Sequence, residues 1–205
     1  MSKTIRSELT LEREVLSSRF IAVLSPCLTP EDFDRTINEV SERYPKAAHY
    51  CYGARIGAIE KMGDDGEPSH SAGLQILSAL RYRDLDYVSL IVVRYFGGTK
   101  LGLPRLTRTY REAAEDIIES AELYEQYEGI RVEMAVEYNA LEPIRYAAKT
   151  MGFEIENTLY EEKILLTCSG DARIMERFLE KRLPEEIAST KSVTLLRRID
   201  HDSSK

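Results

Sequence analysis

Two short passages concentrate residues able to do chemistry. "VVRYFGGTKLGLPRLTRTYREA", from Val92 to Ala113, runs an apolar strand into a glycine loop and the loop into a helix. Gly97 and Gly98 permit backbone angles or close approaches that side chains forbid. The helix that follows offers free amides and a positive dipole end. Arg94, Lys100, Arg105, Arg108 and Arg111 add full charges, and no acid stands before Glu112. Arg105 and Arg108 lie one turn apart and share a face. These features fit an anion or nucleic-acid site. They equally fit a tight turn whose arginines pair with acids such as Glu112 and Glu115. The glycine-lysine-hydroxyl ending of a Walker A loop is absent, and so is a dinucleotide fingerprint.

The second passage, "DDGEPSH", gathers Asp64, Asp65, Glu67 and His70 within seven residues. Metal ligation or acid/base work beside the basic loop is one reading, conditional on the two turns meeting in space. A solvated turn whose acids cap the next helix is the other. The calcium-loop pattern fails because no bidentate glutamate follows at the needed distance. A third passage, "AHYCYGAR", puts His49 and Cys51 on one strand face. Positions i and i+2 of a strand are poorly placed for a Cys-His catalytic pair, so a buried thiol is the plainer reading. Arg19 sets a charge at the start of a core strand, where it snorkels or pairs with a carboxylate. No residue is assigned a catalytic role, and no metal or cofactor is called for.

The elements that position these residues follow from periodicity. Two strands flank Leu16–Ser18, and Phe20–Leu24 reads as buried. Thr29 caps a helix opening at Pro30. "HYCYGARIGAIEK" reads as strand, with Gly53 and Gly57 marking bends. A polar loop spans Gly63–Gly73, and a helix opening at Pro68 or Ser69 runs to about Leu80, burying Leu74, Leu77 and Leu80. "YVSLIVVRYF" is the clearest buried strand. A helix from Pro104 to about Ala121 buries Leu106, Tyr110, Ala113 or Ala114, and Ile117.

The rhythm changes near Tyr124–Gly129. A strand, a helix over Glu142–Met151, two strands, a helix over Ala172–Leu183 and a last strand follow, the βαββαβ order of a ferredoxin-like sandwich. The expected class is α+β, with domains at 1–125 and 126–197 and a polar tail at 198–205. The bulk numbers agree with a packed protein: 205 residues, 43% hydrophobic, 12 Tyr and no Trp. The net charge of −7 disfavours a generally basic nucleic-acid coat but leaves room for a local stripe. No window suits a membrane span, the N-terminus lacks an apolar signal core, and Cys27, Cys51 and Cys168 form no CxxC. A cytoplasmic protein without membrane partners is expected.

Taken together, "SSRFIA", "AHYCYGAR", "DDGEPSHSAG" and "VVRYFGGTKLG", in that order and spacing, resemble the Impact/YigZ family over almost the whole chain. The resemblance implies a first domain with the fold of the second domain of a small-subunit ribosomal protein. It implies a second domain similar to a C-terminal domain of the translocating elongation factor. Eukaryotic members regulate translation, so the resemblance implies a non-catalytic, translation-related module that contacts RNA, the ribosome or a translation-associated protein through the basic glycine loop. An enzyme acting on a phosphorylated or nucleotide substrate and a pure protein-interaction adaptor are the competing readings. The chain departs from the family pattern at Ser69-His70-Ser71, where a glycine-threonine turn is usual. It departs again at "GLPRLTR", which replaces a second glycine cluster.

Overall fold

A computed structural model describes residues 2–181 and 186–199. The chain divides between Glu125 and Gln126 into two compact units, and Arg198 and Ile199 group with the first.

The first unit is built on a five-stranded sheet. Its strands are β2 (Leu9–Val15), β3 (Ser18–Pro26), β4 (His49–Ile56), β5 (Ile59–Gly63) and β6 (Val88–Tyr95). They lie in the order β2-β3-β6-β4-β5, and every neighbouring pair is antiparallel. A two-residue strand, β1 (Lys3–Thr4), pairs instead with the start of β7 (Tyr124–Val136). The central strands carry unbroken apolar runs because both faces of the sheet are covered. Phe20, Ala22, Leu24, Leu90 and Val92 point into one core, with Ile76 and Leu80 of α2 (Gly73–Tyr82) and Tyr110 and Ile117 of α3 (Leu103–Ser120). The alternate residues Ile21, Val23, Ile91 and Val93 pack with Val40 of α1 (Pro30–Arg43) on the other face. Helix α1 opens with a complete capping box: the Thr29 hydroxyl accepts from the Asp32 amide, and Asp32 accepts from the Thr29 amide.

Two elements differ from the sequence expectation. Helix α2 begins at Gly73, not at Pro68 or Ser69, and Leu74 is only half-buried while Ile76 fills the core. The Asp64 carboxylate, from outside the segment, holds the end of Pro68–Ala72 as a turn. Gly53 is not a bend. It lies inside β4, where an added Cβ would sit 2.7 Å from the Leu77 amide nitrogen, so this glycine lets α2 press on the strand. Gly57, with φ 61°, makes the turn to β5.

In the second unit, β7 is followed by α4 (Leu141–Met151), β8 (Glu154–Tyr160), β9 (Ile164–Asp171), α5 (Ala172–Leu179) and β10 (Ile187–Arg198). The strands lie in the order β10-β7-β9-β8. One face carries a separate core of Val132, Met134, Ile164, Leu166, Ile144 and Phe178. The helix expected to reach Leu183 is described to Leu179, and 182–185 lie outside the described residues. Of the tail expected at 198–205, Arg198 pairs with Glu122 and the Ile199 amide donates to the Leu123 carbonyl. Positions 200–205 lie outside the described residues.

Candidate functional site

The Asp64–Pro68 turn and the Phe96–Gly102 loop come together at one end of the first unit. The cleft between them is lined by His49, Gly66, Glu67, Pro68 and Arg94 on one side and by Phe96, Lys100, Leu101, Gly102, Leu103 and Leu106 on the other. Its volume is about 470 Å³, enough for a nucleotide-sized group.

The register of the sheet explains the meeting. His49 of β4 stands opposite Arg94 on β6, and Phe20 of β3 stands opposite it on the other side. The acidic turn folds over β4 because its own carboxylates are used as backbone acceptors. Asp64 accepts from the amides of His70 at 2.8 Å, Ala72 at 3.0 Å and Gly73 at 2.8 Å. Burial works against its charge, but the amides of Gly73, His70 and Ala72 outweigh that and hold its pKa below the ordinary value. This acceptor keeps 68–72 out of the helix. Asp65 accepts from the Tyr50 amide at 2.6 Å, and its carbonyl accepts from His49 Nδ1 at 2.7 Å. A carbonyl cannot donate, so Nδ1 carries a proton. Nε2 then stands 3.8 Å from Glu67 Oε2.

Glu67 is the member of the acidic turn that enters the floor of the cleft. Its side chain is 4% exposed and that of its ion-pair partner Arg94 is 6% exposed. The Tyr110 hydroxyl of α3 donates to the same carboxylate at 2.8 Å. Cys51 Sγ lies 3.3 Å from that hydroxyl and 3.0 Å from the Asp64 carbonyl. Burial pushes the Cys51 thiol up to about 12 and the Tyr110 phenol well above its ordinary range, so both stay protonated. The Arg94 guanidinium also stands over the rings of Phe20 and Phe96, at 5.4 and 5.6 Å, and its Nε has no hydrogen-bond partner among the described residues. His70 is exposed, with Nδ1 near Ser69 Oγ, and does not line the cleft.

The basic side chains of the glycine loop and α3 separate. Arg94 is buried with Glu67. Lys100 stands at the cleft rim. Arg105 and Arg108 line a different surface with Val15 and Glu112, where Arg13, not they, pairs with Glu112. Arg111 donates to Gln75 from Nε at 3.2 Å and Nη2 at 2.7 Å. Among the described residues the side chains of Lys100, Arg105 and Arg108 make no ion pair. The phase of α3 accounts for the split: with Leu106 and Tyr110 inward, Arg105 and Arg108 face away.

Gly97 serves the fold. A Cβ there would lie 2.1 Å from the Ser17 carbonyl carbon, and its amide donates to Ser18 Oγ at 3.1 Å. The close approach it permits is to the protein's own β2–β3 turn. Gly98 and Gly102, with φ of 86° and 76°, are open on the outside. Gly102 caps α3 without a side-chain hydrogen bond, and Pro104 has no N–H, so the Leu103 and Arg105 amides are the first-turn donors without a side-chain acceptor among the described residues. Phe96, 51% exposed at the rim, carries no signal in the hydrophobic periodicity. Its position, one residue past a buried strand and one before two glycines, is the signal that identifies it.

Among the described residues no group of three or more His, Cys, Asp or Glu side chains is placed to hold a metal ion, and no helix is long and apolar enough to cross a membrane. Fold and cleft together define a two-unit α+β protein whose first unit holds a pocket with an ion-paired floor and Phe96 and Lys100 at its rim. Residues 16–118 match the Impact N-terminal domain. The chain belongs to the IMPACT family. The family member YvyE of Bacillus subtilis is 30% identical over 158 residues, 75% of this chain and 73% of that protein. An IMPACT family member of Haemophilus influenzae is 28% identical over 178 residues, 84% of this chain and 86% of that protein. The crystal structure of a hypothetical protein superposes over 98% of both chains with a TM-score of 0.61 at 22% identity, which shows a shared fold.

Proposed function

We propose that this protein is a non-catalytic, translation-associated module that holds single-stranded RNA in the cleft between the Asp64–Pro68 turn and the Phe96–Gly102 loop. The observation that carries the reading is the rim: Phe96 offers an exposed ring beside the unpaired Lys100 and the uncapped start of α3. Aromatic stacking beside a cationic loop and a helix start suits a base and its phosphate. The buried Arg94–Glu67 pair fixes the floor and leaves the guanidinium lining the cleft. Lys100 and the Leu103 and Arg105 amides of α3 supply the phosphate contacts. Gly98 leaves room for them, Arg94 supports Phe96 from below, and Gly97 holds the loop to the β2–β3 turn. Arg105 and Arg108 extend the positive field along the next surface, and Arg111 stays with Gln75.

Translation enters through the family: the resemblance implies regulators of translation among its eukaryotic members. A cytoplasmic location fits that role. The βαββαβ order and the β10-β7-β9-β8 sheet support a ferredoxin-like fold for the second unit, with the domain boundary near Gln126. A ribosomal-protein-like fold for the first unit rests on the resemblance. The enzymatic alternative is less well supported. Asp64 and Asp65 are committed to backbone amides, and His70 lies away from the cleft.

Fluorescence anisotropy with a labelled single-stranded RNA at about 50 and about 200 mM salt tests the reading. Wild type should bind with a salt-dependent affinity, and Phe96→Ala/Lys100→Ala should lose most of it. Equal binding by the double variant would reject the cleft as the RNA site.

A further inference from the structure

The floor of the first unit's cleft carries more hydrogen-bonding capacity than the protein itself uses. Arg94 lines the cleft and is only 5% exposed, yet its guanidinium makes one hydrogen bond among the described residues, from Nη1 to Glu67 Oε1. Nε is buried without a partner, and Nη2 has no hydrogen bond among the described residues. Nε and Nη2 form the side edge of a guanidinium, and elsewhere in this unit that edge is filled. Arg19 gives it to the Glu12 carboxylate, and Arg111 gives both nitrogens to one neutral carbonyl oxygen, Gln75 Oε1. Buried donors are almost always satisfied, so an unpartnered edge on a cleft residue points to an acceptor on a ligand. The carboxylate beside it is also half used. Glu67 Oε1 accepts from Arg94 and from the Tyr110 hydroxyl, whereas Oε2 accepts no hydrogen bond among the described residues. His49 Nε2 stands 3.8 Å from Oε2, too far for a hydrogen bond. Because Nδ1 carries its proton toward the Asp65 carbonyl, Nε2 of the neutral ring is a second acceptor. The floor therefore reads acceptor, acceptor, donor: His49 Nε2, Glu67 Oε2 and the Arg94 edge.

We infer that the cleft selects guanine among the bases of a single-stranded RNA. The inference rests on the RNA reading of the same cleft and adds which base its floor takes. Guanine carries two donors, N1–H and the 2-amino group, next to the acceptor O6, which is the complement of the floor in the same order. The two donors meet Glu67 Oε2 and His49 Nε2, and O6 accepts from the Arg94 edge as Gln75 Oε1 does from Arg111. Adenine and cytosine bring one donor nitrogen to two acceptors, and uracil sets a carbonyl oxygen against one of them. Charge agrees with this choice. Glu67 already balances Arg94, so the floor suits a neutral base, whereas a phosphate would set its charge against the carboxylate. The exposed Phe96 ring at the rim gives the base a face to stack on.

The test is fluorescence anisotropy of the full chain with a labelled oligouridine that carries guanosine, inosine, adenosine or cytidine at its centre. The guanosine form should bind about tenfold more tightly than the adenosine, cytidine and all-uridine forms. Inosine keeps O6 and N1–H but lacks the 2-amino group, and it should bind about threefold more weakly than guanosine. His49→Ala removes one acceptor and should bring the guanosine form down to the inosine level. The comparison of bases on the wild-type chain needs no variant, so it holds whatever the substitution does to the fold. Equal binding of all forms would overturn the inference and leave the RNA reading in place. No binding of any form would reject both. A His49→Ala loss shared equally by every form would take His49 out of base recognition and overturn the inference. Unlabelled guanosine monophosphate separates the sources of the base. Weak competition keeps guanine within RNA, and competition as strong as that of the unlabelled guanosine oligomer would overturn the RNA source in favour of a free nucleotide.

Discussion

Arg94 lies on the floor of the first unit's cleft with 6% of its side chain exposed and the Glu67 carboxylate against it. Arg177 stands on α5 of the second unit, exposed, with no acid partner among the described residues. The guanidinium is the same, and its surroundings decide what it does. A buried charge must be paired, so Arg94 organises the cleft and is not free to exchange with a counterion. An exposed, unpaired charge costs little to hold and remains free to meet a ligand. Counting basic residues along the glycine loop and α3 therefore overstates one site. Of the five, one is a floor element, one is at the rim, two face elsewhere and one is held by Gln75.

The contrast breaks most visibly at Glu67. Glu67→Ala leaves the Arg94 charge buried without its carboxylate and should cost about 3–5 kcal/mol in denaturant unfolding. Glu67→Ala/Arg94→Met removes both charges and should recover much of that loss. If the single variant unfolds like wild type, the floor is not held by this pair. Gly97→Ala comes next. A methyl 2.1 Å from the Ser17 backbone forces the loop off the β2–β3 turn, at about 3 kcal/mol. The same change at Gly98 meets no atom within 4 Å, and its smaller cost comes from the positive φ alone.

Asp64 sharpens the comparison through pH. Its folded pKa is depressed below the ordinary 3.8, so its contribution is present above that value and is lost as pH falls through the folded pKa. Asp64→Asn should cost about 2 kcal/mol at neutral pH and flatten the acid limb of the unfolding-midpoint profile. An unchanged acid limb would remove Asp64 from its capping role. Cys51 gives a kinetic readout of the same burial. With its thiol pushed up to about 12, alkylation near pH 8 should follow global opening and be far slower than in the denatured chain. The smallest stability effect is expected in the second unit. Arg173→Ala/Arg177→Ala should shift unfolding by less than about 0.5 kcal/mol, because neither charge is buried or paired.

Much of the frame was legible in the sequence, for physical reasons. The apolar run of β6 needs cover on both faces, and it has it. Thr29 and Pro30 announced α1, and Leu106, Tyr110 and Ile117 gave the phase of α3. What stayed hidden depended on contacts distant along the chain. Asp64 reaches six to nine residues ahead to hold the 68–72 turn, so Pro68 and Ser69 looked like a helix start when Gly73 is the first helical residue. The Glu67–Arg94 pair joins residues 27 apart and depends on how β4 and β6 register. Gly97 carried the right residue type for an anion loop, but its close neighbour is Ser17, far back along the chain in the β2–β3 turn.

The most direct test of the cleft as an RNA site is a backbone amide NMR titration of the full chain with a short single-stranded oligoribonucleotide. The largest shifts should fall on Phe96, Gly98, Lys100 and Leu103, with the Glu67 and Gly66 amides moving less. They should fade as salt rises from about 50 to about 200 mM. Shifts confined to Arg173–Lys181, or none in the Phe96–Leu103 segment at saturating RNA, would contradict the account.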